Sequence, residues 1–227
     1  MTVQFATREQ IHAHVMALAT RALTSPDEPD PTADYRWRPA CEAIEAHLKG
    51  IPARYQFADL DSLDDVQQPA TLKAWLTNQD SRTMWLAGPV GTGKTYAAAA
   101  LANGAALIAA AGDIPRRSTM WWSLAALLDA LRTDGDGAIW SRVKSAPFLV
   151  LDDVSHVRAT DWSAERLWMI ADARTSAGLR QVLTTNATFG KLAETWGEGT
   201  IDRLVDSAAS VTIKGASRRS PLRAVGE

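Results

Sequence analysis

The chain has 227 residues, of which 46% are hydrophobic and 22% are charged, and this composition is ordinary for a globular protein. Its formal net charge of −2 excludes a globally basic protein that coats nucleic acid, so contact with DNA or RNA requires a local patch. The single cysteine, Cys41, excludes an internal disulfide, and no residue run is apolar enough to span a bilayer, so we expect a cytoplasmic protein without a membrane role.

The first 50 residues are expected to form a small helical segment that is separate from the main domain. Helical periodicity predicts one amphipathic helix over residues 8–23 and a second, short helix over residues 39–49. Between them, residues 24–34 contain three prolines and four acidic residues, which is typical of an extended, solvated linker. Because extended chain is expected to follow from Ile51, we place the start of the main domain there.

Beyond residue 51, apolar strand patterns alternate with helical patterns along the chain. The predicted strands cover 83–87, 118–122, 147–151, 180–184 and 209–213, and the predicted helices cover 93–111, 123–132, 137–145, 161–177, 188–196 and 199–207, with one more helix starting at Pro69. Strands and helices that alternate with connections of this length form a parallel sheet with helices on both faces. The predicted fold class is therefore α/β, with five parallel strands between two helical layers.

A glycine-rich loop between the first strand and the next helix matches the phosphate-binding pattern G-x-x-x-x-G-K-[ST] in full. The loop consists of Gly88, Pro89, Val90, Gly91, Thr92, Gly93, Lys94 and Thr95, and Tyr96 follows it. The glycines let successive backbone N–H groups face a β-phosphate, and the helix N-terminus adds positive potential. We expect Lys94 to bridge the β- and γ-phosphates and Thr95 to bind Mg²⁺, so ATP and Mg²⁺ are the predicted cofactors.

Polar residues also follow two later strands of the predicted sheet. Asp152 and Asp153 end an apolar strand where a Walker B strand belongs, so Asp152 is the predicted Mg²⁺ partner and Asp153 the predicted general base. The plainer interpretation of these acids is a helix cap or a surface pair after a core strand. Asn186 ends the following strand and could orient water near the γ-phosphate, although asparagine is also an ordinary turn residue there.

Further short motifs occur on both sides of these strands. They are Ile51-Pro52-Ala53-Arg54-Tyr55, Ala58-Asp59-Leu60, Leu151-Asp152-Asp153-Val154, Thr160-Asp161-Trp162 before Leu167-x-x-Ile170-x-x-x-Arg174, Thr184-Thr185-Asn186, Ile201-Asp202-Arg203-Leu204 and Gly215-x-Ser217-x-Arg219. Together they resemble the AAA+ ATPases of the DnaC/DnaI helicase-loader and IstB-like family. The resemblance covers residues 51–219 and leaves residues 220–227 as a tail. It implies a P-loop AAA+ three-layer sandwich without the C-terminal helical lid of many AAA+ proteins.

The same resemblance assigns roles to residues outside the Walker motifs. It implies that Arg203 is an arginine finger, donated to ATP on a neighbouring subunit, so that the site is complete only in an oligomer. The plainer interpretation is a surface arginine paired with Asp202 or Asp206. Arg219, or its neighbour Arg218, is expected to contact nucleotide within its own subunit as the residue called sensor 2.

The resemblance implies that Asn186 is the residue called sensor 1. Asp153 stands where many AAA+ proteins have the longer glutamate, and the shorter side chain favours slow hydrolysis. The implied function is ATP-dependent loading of a replicative DNA helicase, bacterial or phage-encoded, with single-stranded DNA binding, self-association through the ATP site and partner binding by residues 1–50. One alternative is an IstB-like transposition regulator that acts on duplex DNA, because both groups share these motifs. An alternative of another class is a small-molecule P-loop kinase that acts as a monomer.

Overall fold

Five parallel β-strands form the centre of the protein, in a computed structural model that describes residues 50–77, 80–111, 119–134 and 137–218. The strands are β1 (Thr83–Ala87), β2 (Thr119–Ser123), β3 (Phe148–Asp152), β4 (Arg180–Thr185) and β5 (Ala209–Thr212). Their order across the sheet is β2-β3-β4-β1-β5, and every neighbouring pair is parallel. Every residue of β4 is buried, as expected for a central strand whose two faces are both covered.

The helices of the described part lie on the two faces of this sheet. They are α1 (Pro69–Thr77), α2 (Lys94–Ala111), α3 (Leu124–Asp134), α4 (Ala138–Ser145), α5 (Asp161–Ser176), α6 (Phe189–Trp196) and α7 (Glu198–Val205). Helix α5 begins with a capping box, in which the Thr160 and Ser163 side chains each accept a hydrogen bond from the other residue's backbone N–H. None of the helices in the described part is long and apolar enough to cross a membrane.

Side chains alternate between two apolar cores along the strands. Trp85 of β1 packs in one core with residues of helices α3 to α7, and its neighbours Met84 and Leu86 pack in the other core with α1 and α2. Residues 97–102 of α2, five alanines and one leucine, are all buried, because small side chains let this helix lie close to the sheet. The predicted α/β three-layer fold is confirmed.

The predicted elements between Pro69 and β5 are all present, and their ends differ from the expected positions by two residues at most. The lead-in to the domain differs from the expected extended chain, because it forms three 3₁₀ turns, Ala53–Tyr55, Leu60–Ser62 and Asp65–Gln67. The predicted segment 1–50, with its helices and linker, lies outside the described residues apart from its last residue.

The sheet order brings three chain segments to one edge. Strand β4 lies between β1 and β3, with Ala87 opposite Thr185 and Leu151 opposite Leu183. Because the strands are parallel, the loop after β1 and the polar residues after β3 and β4 meet at the carboxyl edge of the sheet. In open α/β sheets this edge is where ligands bind.

Candidate nucleotide-binding site

The loop after β1 has a backbone that requires glycine. Gly88, Gly91 and Gly93 have φ angles of 144°, 83° and 102°, which side-chain-bearing residues rarely adopt. A Cβ atom on Gly88 would lie 2.1 Å from the backbone oxygen of Ile213, and one on Gly91 would lie 2.1 Å from Ser217 Oγ. The loop is thus held between β1 and the segment after β5 without room for side chains.

Lys94 lies against this loop, with only 8% of the residue exposed. Its Nζ donates hydrogen bonds to the backbone oxygens of Gly88 at 2.8 Å and Pro89 at 2.7 Å. The Thr92 hydroxyl donates to the same Pro89 oxygen at 2.9 Å, which closes the loop on itself. The ammonium group is therefore held beside the backbone N–H groups that begin α2, where an anion would be stabilised.

Asp152, at the end of β3, accepts hydrogen bonds from two hydroxyl groups. Thr95 Oγ1 lies 3.1 Å and Thr184 Oγ1 lies 2.7 Å from Asp152 Oδ1. Burial raises the pKa of the Asp152 carboxyl, with the nearby Asp153 charge adding to this effect, whereas the two hydroxyl groups oppose it. A partly buried carboxylate with this raised pKa favours a cation beside it.

Asp153 follows β3 directly and has a left-handed backbone conformation, with φ of 59°. Its backbone N–H donates to Thr184 Oγ1 at 2.8 Å. Its carboxylate is contacted by His156 Nδ1 at 3.1 Å and, at 3.4 Å each, by Ser155 Oγ and Asn186 Nδ2. The structure therefore brings the side chains of Asp153 and Asn186 together.

The 3₁₀ lead-in covers one side of the loop. The Tyr96 hydroxyl lies 2.8 Å from Ser62 Oγ, and the Tyr96 ring stands edge-on to that of Tyr55 at 6.5 Å between centroids. Gln67 is 2% exposed and donates through Nε2 to the Gly93 backbone oxygen at 3.2 Å. These contacts fix the lead-in on the phosphate loop.

The segment after β5 covers the other side of the loop. The Arg218 backbone N–H donates to the Gly91 oxygen at 2.8 Å, and the Arg218 guanidinium forms an ion pair with Asp64 of the lead-in. This hydrogen-bonded arginine lowers the pKa of the Asp64 carboxyl. Arg219 lies outside the described residues.

These segments enclose an open cavity of about 540 Å³. The predicted site residues in its lining are Val90, Gly91, Gly93, Lys94, Thr95, Tyr96, Asp153 and Asn186. The lining also includes Tyr55, Ser62, Gln67, His156, Thr184 and Arg218. Of these, the family motifs contain Tyr55 and Thr184, and Arg218 was the alternative to Arg219, whereas Ser62, Gln67 and His156 carry no recognisable signal in the sequence.

Arg203 does not line this cavity. It lies in the last turn of α7, with 44% of its side chain exposed, and its Nη1 forms an ion pair of 2.8 Å with Asp172 of α5. Its guanidinium also lies 5.5 Å from the ring centre of Trp168, an exposed residue of the same helix α5. The acid that pairs with Arg203 is thus Asp172, not Asp202 or Asp206.

The phosphate loop, the acids after β3 and the asparagine after β4 on this sheet order define an ATPase of the P-loop AAA+ class. Residues 45–224 match the family of the IstB-like ATP binding protein, and since this match covers more than half of the sequence, the chain belongs to that family. Comparison with curated protein sequences finds no match.

Solved structures of replication proteins have the same fold. The DnaC helicase loader is 24% identical, with a TM-score of 0.59 over 71% of this chain and 99% of the loader. DnaI is 20% identical, with a TM-score of 0.61 over 74% of this chain and 94% of DnaI. The replication initiator DnaA bound to AMPPCP and single-stranded DNA is 19% identical, with a TM-score of 0.60 over 73% of this chain and 51% of DnaA.

Proposed function

We propose that this ATPase loads a replicative DNA helicase, binds single-stranded DNA and works as an oligomer. The observation that carries this proposal is the extent of the structural match. The chain covers 99% of the DnaC loader and 94% of DnaI, but only 51% of DnaA, and this agreement in extent with the first two supports the proposal. Family membership favours one alternative, an IstB-like regulator of transposition that acts on duplex DNA.

The geometry around the phosphate loop supports the roles expected for its residues. We assign Lys94 to the β- and γ-phosphates, and the backbone N–H groups from Gly91 to Thr95 to the β-phosphate. Thr95 Oγ1 and Asp152 Oδ1 are 3.1 Å apart. Neighbouring oxygen ligands of an octahedral Mg²⁺ lie about 3.0 Å apart, since each is about 2.1 Å from the ion. These two residues therefore fit Mg²⁺, which when bound would offset charge on the β- and γ-phosphates.

Hydrolysis requires a base and a group that orients water. We assign these roles to Asp153 and Asn186, because both line the cavity and their side chains are in contact. The carboxylate is ready to accept a proton from a water molecule that attacks the γ-phosphate, and the asparagine amide can hold that water or the phosphate oxygen beside it. Arg218 lines the same cavity, which supports its role as sensor 2.

We assign Arg203 to the ATP site of a neighbouring subunit. Its partly exposed position outside its own cavity supports this role, because a second copy of the chain could reach the guanidinium and replace its ion pair with Asp172 by a contact to phosphate. An arginine finger stabilises charge on the γ-phosphoryl group in the transition state and accelerates hydrolysis by about a thousandfold or more.

Assemblies that mix two variants of the chain test whether Arg203 acts as an arginine finger between subunits. Arg203→Ala chains should bind ATP but hydrolyse it slowly, and Lys94→Ala chains should fail to bind or turn over ATP. A mixture should recover part of the hydrolysis rate, because the intact Lys94 of one subunit then meets the intact Arg203 of another. No recovery in the mixture would contradict a finger that acts between subunits.

The loading function is tested with the full chain and the replicative helicase encoded in the same genome. We expect co-elution with the helicase, and ATP-dependent binding to labelled single-stranded DNA by fluorescence anisotropy, with Lys94→Ala as the matched variant that lacks the ATP response. Duplex DNA binding without helicase binding would instead support the transposition regulator. Phosphoryl transfer to a metabolite by a monomer, unaffected by Arg203→Ala, would identify a kinase.

A further inference from the structure

The loop after β3 carries a side chain that the family motifs do not include. His156 lies three residues after Asp153 and lines the nucleotide cavity together with Lys94 and Asn186. Its backbone N–H donates to the Asp153 backbone oxygen at 3.3 Å, which closes a turn and brings the two side chains together. The imidazole is therefore held beside the proposed general base by local backbone geometry.

The contact between the two side chains is well defined. His156 Nδ1 lies 3.1 Å from Oδ1 of Asp153 and also 3.1 Å from Oδ2. Because an ionised carboxylate only accepts hydrogen bonds, Nδ1 carries the proton and donates it. A donor shared by both oxygens restrains rotation of the carboxylate about its terminal bond.

The other groups around this carboxylate restrain it less. Ser155 Oγ and Asn186 Nδ2 both lie 3.4 Å from Oδ1, at the outer limit for a hydrogen bond. The bond from the Asp153 N–H to Thr184 Oγ1, at 2.8 Å, fixes the backbone but leaves the side chain free to turn. His156 thus provides the shortest side-chain contact to the carboxylate among the described residues.

We propose that His156 is a positioning residue for ATP hydrolysis, which orients the Asp153 carboxylate towards the attacking water through its Nδ1–H group. Orientation matters here because aspartate is one methylene shorter than the glutamate of many AAA+ proteins, so its reach to the water depends on its angle. This inference rests on the proposed role of Asp153 as the general base. His156 itself does not contact the reacting atoms in this role.

The exposure of His156 and Asp153 allows a positioning role to be distinguished from a structural role. The side chain of His156 is 68% exposed and that of Asp153 is 40% exposed. Exposed pairs of this kind contribute little to folding stability, because solvent screens them. Substitutions of His156 should therefore leave the fold unchanged, and an effect on turnover would report on the orientation of the carboxylate.

Substitution of His156 by asparagine or by glutamine distinguishes the roles of its two ring nitrogens. The amide nitrogen of asparagine is attached at the same position as Nδ1, whereas that of glutamine corresponds to Nε2. His156→Asn should thus keep the bond to Asp153, and His156→Gln should lose it. His156→Ala removes both nitrogens and serves as the reference for complete loss.

The experiment measures steady-state ATP hydrolysis by the full chain over a range of ATP concentrations at saturating Mg²⁺, which gives kcat and KM, together with the Kd of ATP. We expect His156→Ala and His156→Gln to lower kcat by about 10- to 100-fold with Kd and KM unchanged, and His156→Asn to stay near the wild-type rate. A wild-type rate for His156→Ala, a loss confined to KM, or equal rates for the asparagine and glutamine variants would each overturn the inference.

Asp153→Asn separates this inference from the proposed function. If that variant loses turnover while His156→Ala does not, Asp153 keeps its role as the base and only the inference about His156 fails. If Asp153→Asn hydrolyses ATP at the wild-type rate, the base is misassigned and both fail together.

Discussion

The Thr184 hydroxyl donates a hydrogen bond of 2.7 Å to the Asp152 carboxylate, from the neighbouring strand of the sheet. The same hydroxyl accepts a hydrogen bond of 2.8 Å from the backbone N–H of Asp153. Thr184 is buried, and one of its atoms serves both groups. This single side chain holds the two acids of the site in their relative positions.

Thr184→Val should therefore destabilise the protein and impair the site. It leaves a partly buried N–H group and a partly buried carboxylate each without one hydrogen bond, at a cost of about 1–3 kcal/mol in the free energy of unfolding. Thr184→Ser keeps the hydroxyl and loses only a methyl group, at a cost of about 1 kcal/mol. Chemical denaturation measures both, and equal losses for the two variants would contradict a role for the hydroxyl.

Asp152→Asn should make the nucleotide-free protein more stable at pH 7 while weakening binding of Mg²⁺ with ATP. Burial raises the folded-state pKa of Asp152 above the ordinary value of 3.8, so the folded protein binds more protons than the unfolded chain as the pH rises from that value. Wild-type stability therefore falls across this window, with a slope of at most about 1.4 kcal/mol per pH unit. The asparagine oxygen still accepts hydrogen bonds from Thr95 and Thr184 but never carries the charge.

Unfolding curves of wild type and Asp152→Asn from pH 4 upward check the predicted direction of the change in stability with pH. The advantage of the variant should grow as the pH rises through the raised pKa and then stay constant. An advantage that shrinks with rising pH would mean that the ionised carboxylate stabilises the fold. Titration calorimetry with ATP, with and without Mg²⁺, measures the accompanying loss of binding.

Gly88 and Gly190 provide a matched pair for the phosphate loop. Alanine at Gly88 would bring its Cβ to 2.1 Å from the Ile213 backbone oxygen in a region of positive φ, whereas Gly190 in α6 has nothing within 4 Å of an added Cβ. Gly88→Ala should cost more than about 1 kcal/mol and weaken ATP binding, and Gly190→Ala should stabilise the helix by about 0.5–1 kcal/mol. Thermal unfolding that ranks the two variants the other way would contradict the loop geometry.

The sequence predicts the elements well because their signals are local. Apolar runs such as Phe148–Leu151 read as buried strands, and the glycine pattern before Lys94 specifies its own conformation. The order of strands across the sheet then places Asp153 beside Asn186, although they are far apart in sequence. The elements and the loop follow from periodicity and motif spacing, whereas the order of the strands comes from the structure.

Other parts of the site depend on contacts between distant segments. The lead-in turns at Leu60–Ser62 and Asp65–Gln67 are too short to show a period, so extended chain was expected there. Gln67 reaches the Gly93 oxygen only because the folded lead-in packs on the loop. His156 contacts Asp153 through a turn that no motif encodes, and its role stays a prediction until it is measured.

Arg174 shows a second limit, since the family motif around it gives no reason for an arginine. The residue is completely buried in α5, and its guanidinium donates to the backbone oxygens of Val143, Ala146 and Arg180 at 2.7–2.9 Å and to Gln181 Oε1 at 3.1 Å. Burial lowers the pKa of Arg174 to about 9, which still leaves it charged at neutral pH. One side chain thus connects the end of α4 with the start of β4.

Arg174→Met should therefore lower the free energy of unfolding by about 3 kcal/mol or more, because it leaves buried carbonyl groups without donors. Arg174→Lys should also destabilise, since one ammonium group cannot reach acceptors that the planar guanidinium contacts on several sides. Arg142→Met, at an exposed position on α4, removes the same charge and should change stability by less than about 0.5 kcal/mol. Urea denaturation compares the three variants, and a small loss for Arg174→Met would show that water or rearranged side chains satisfy the carbonyl groups in its absence.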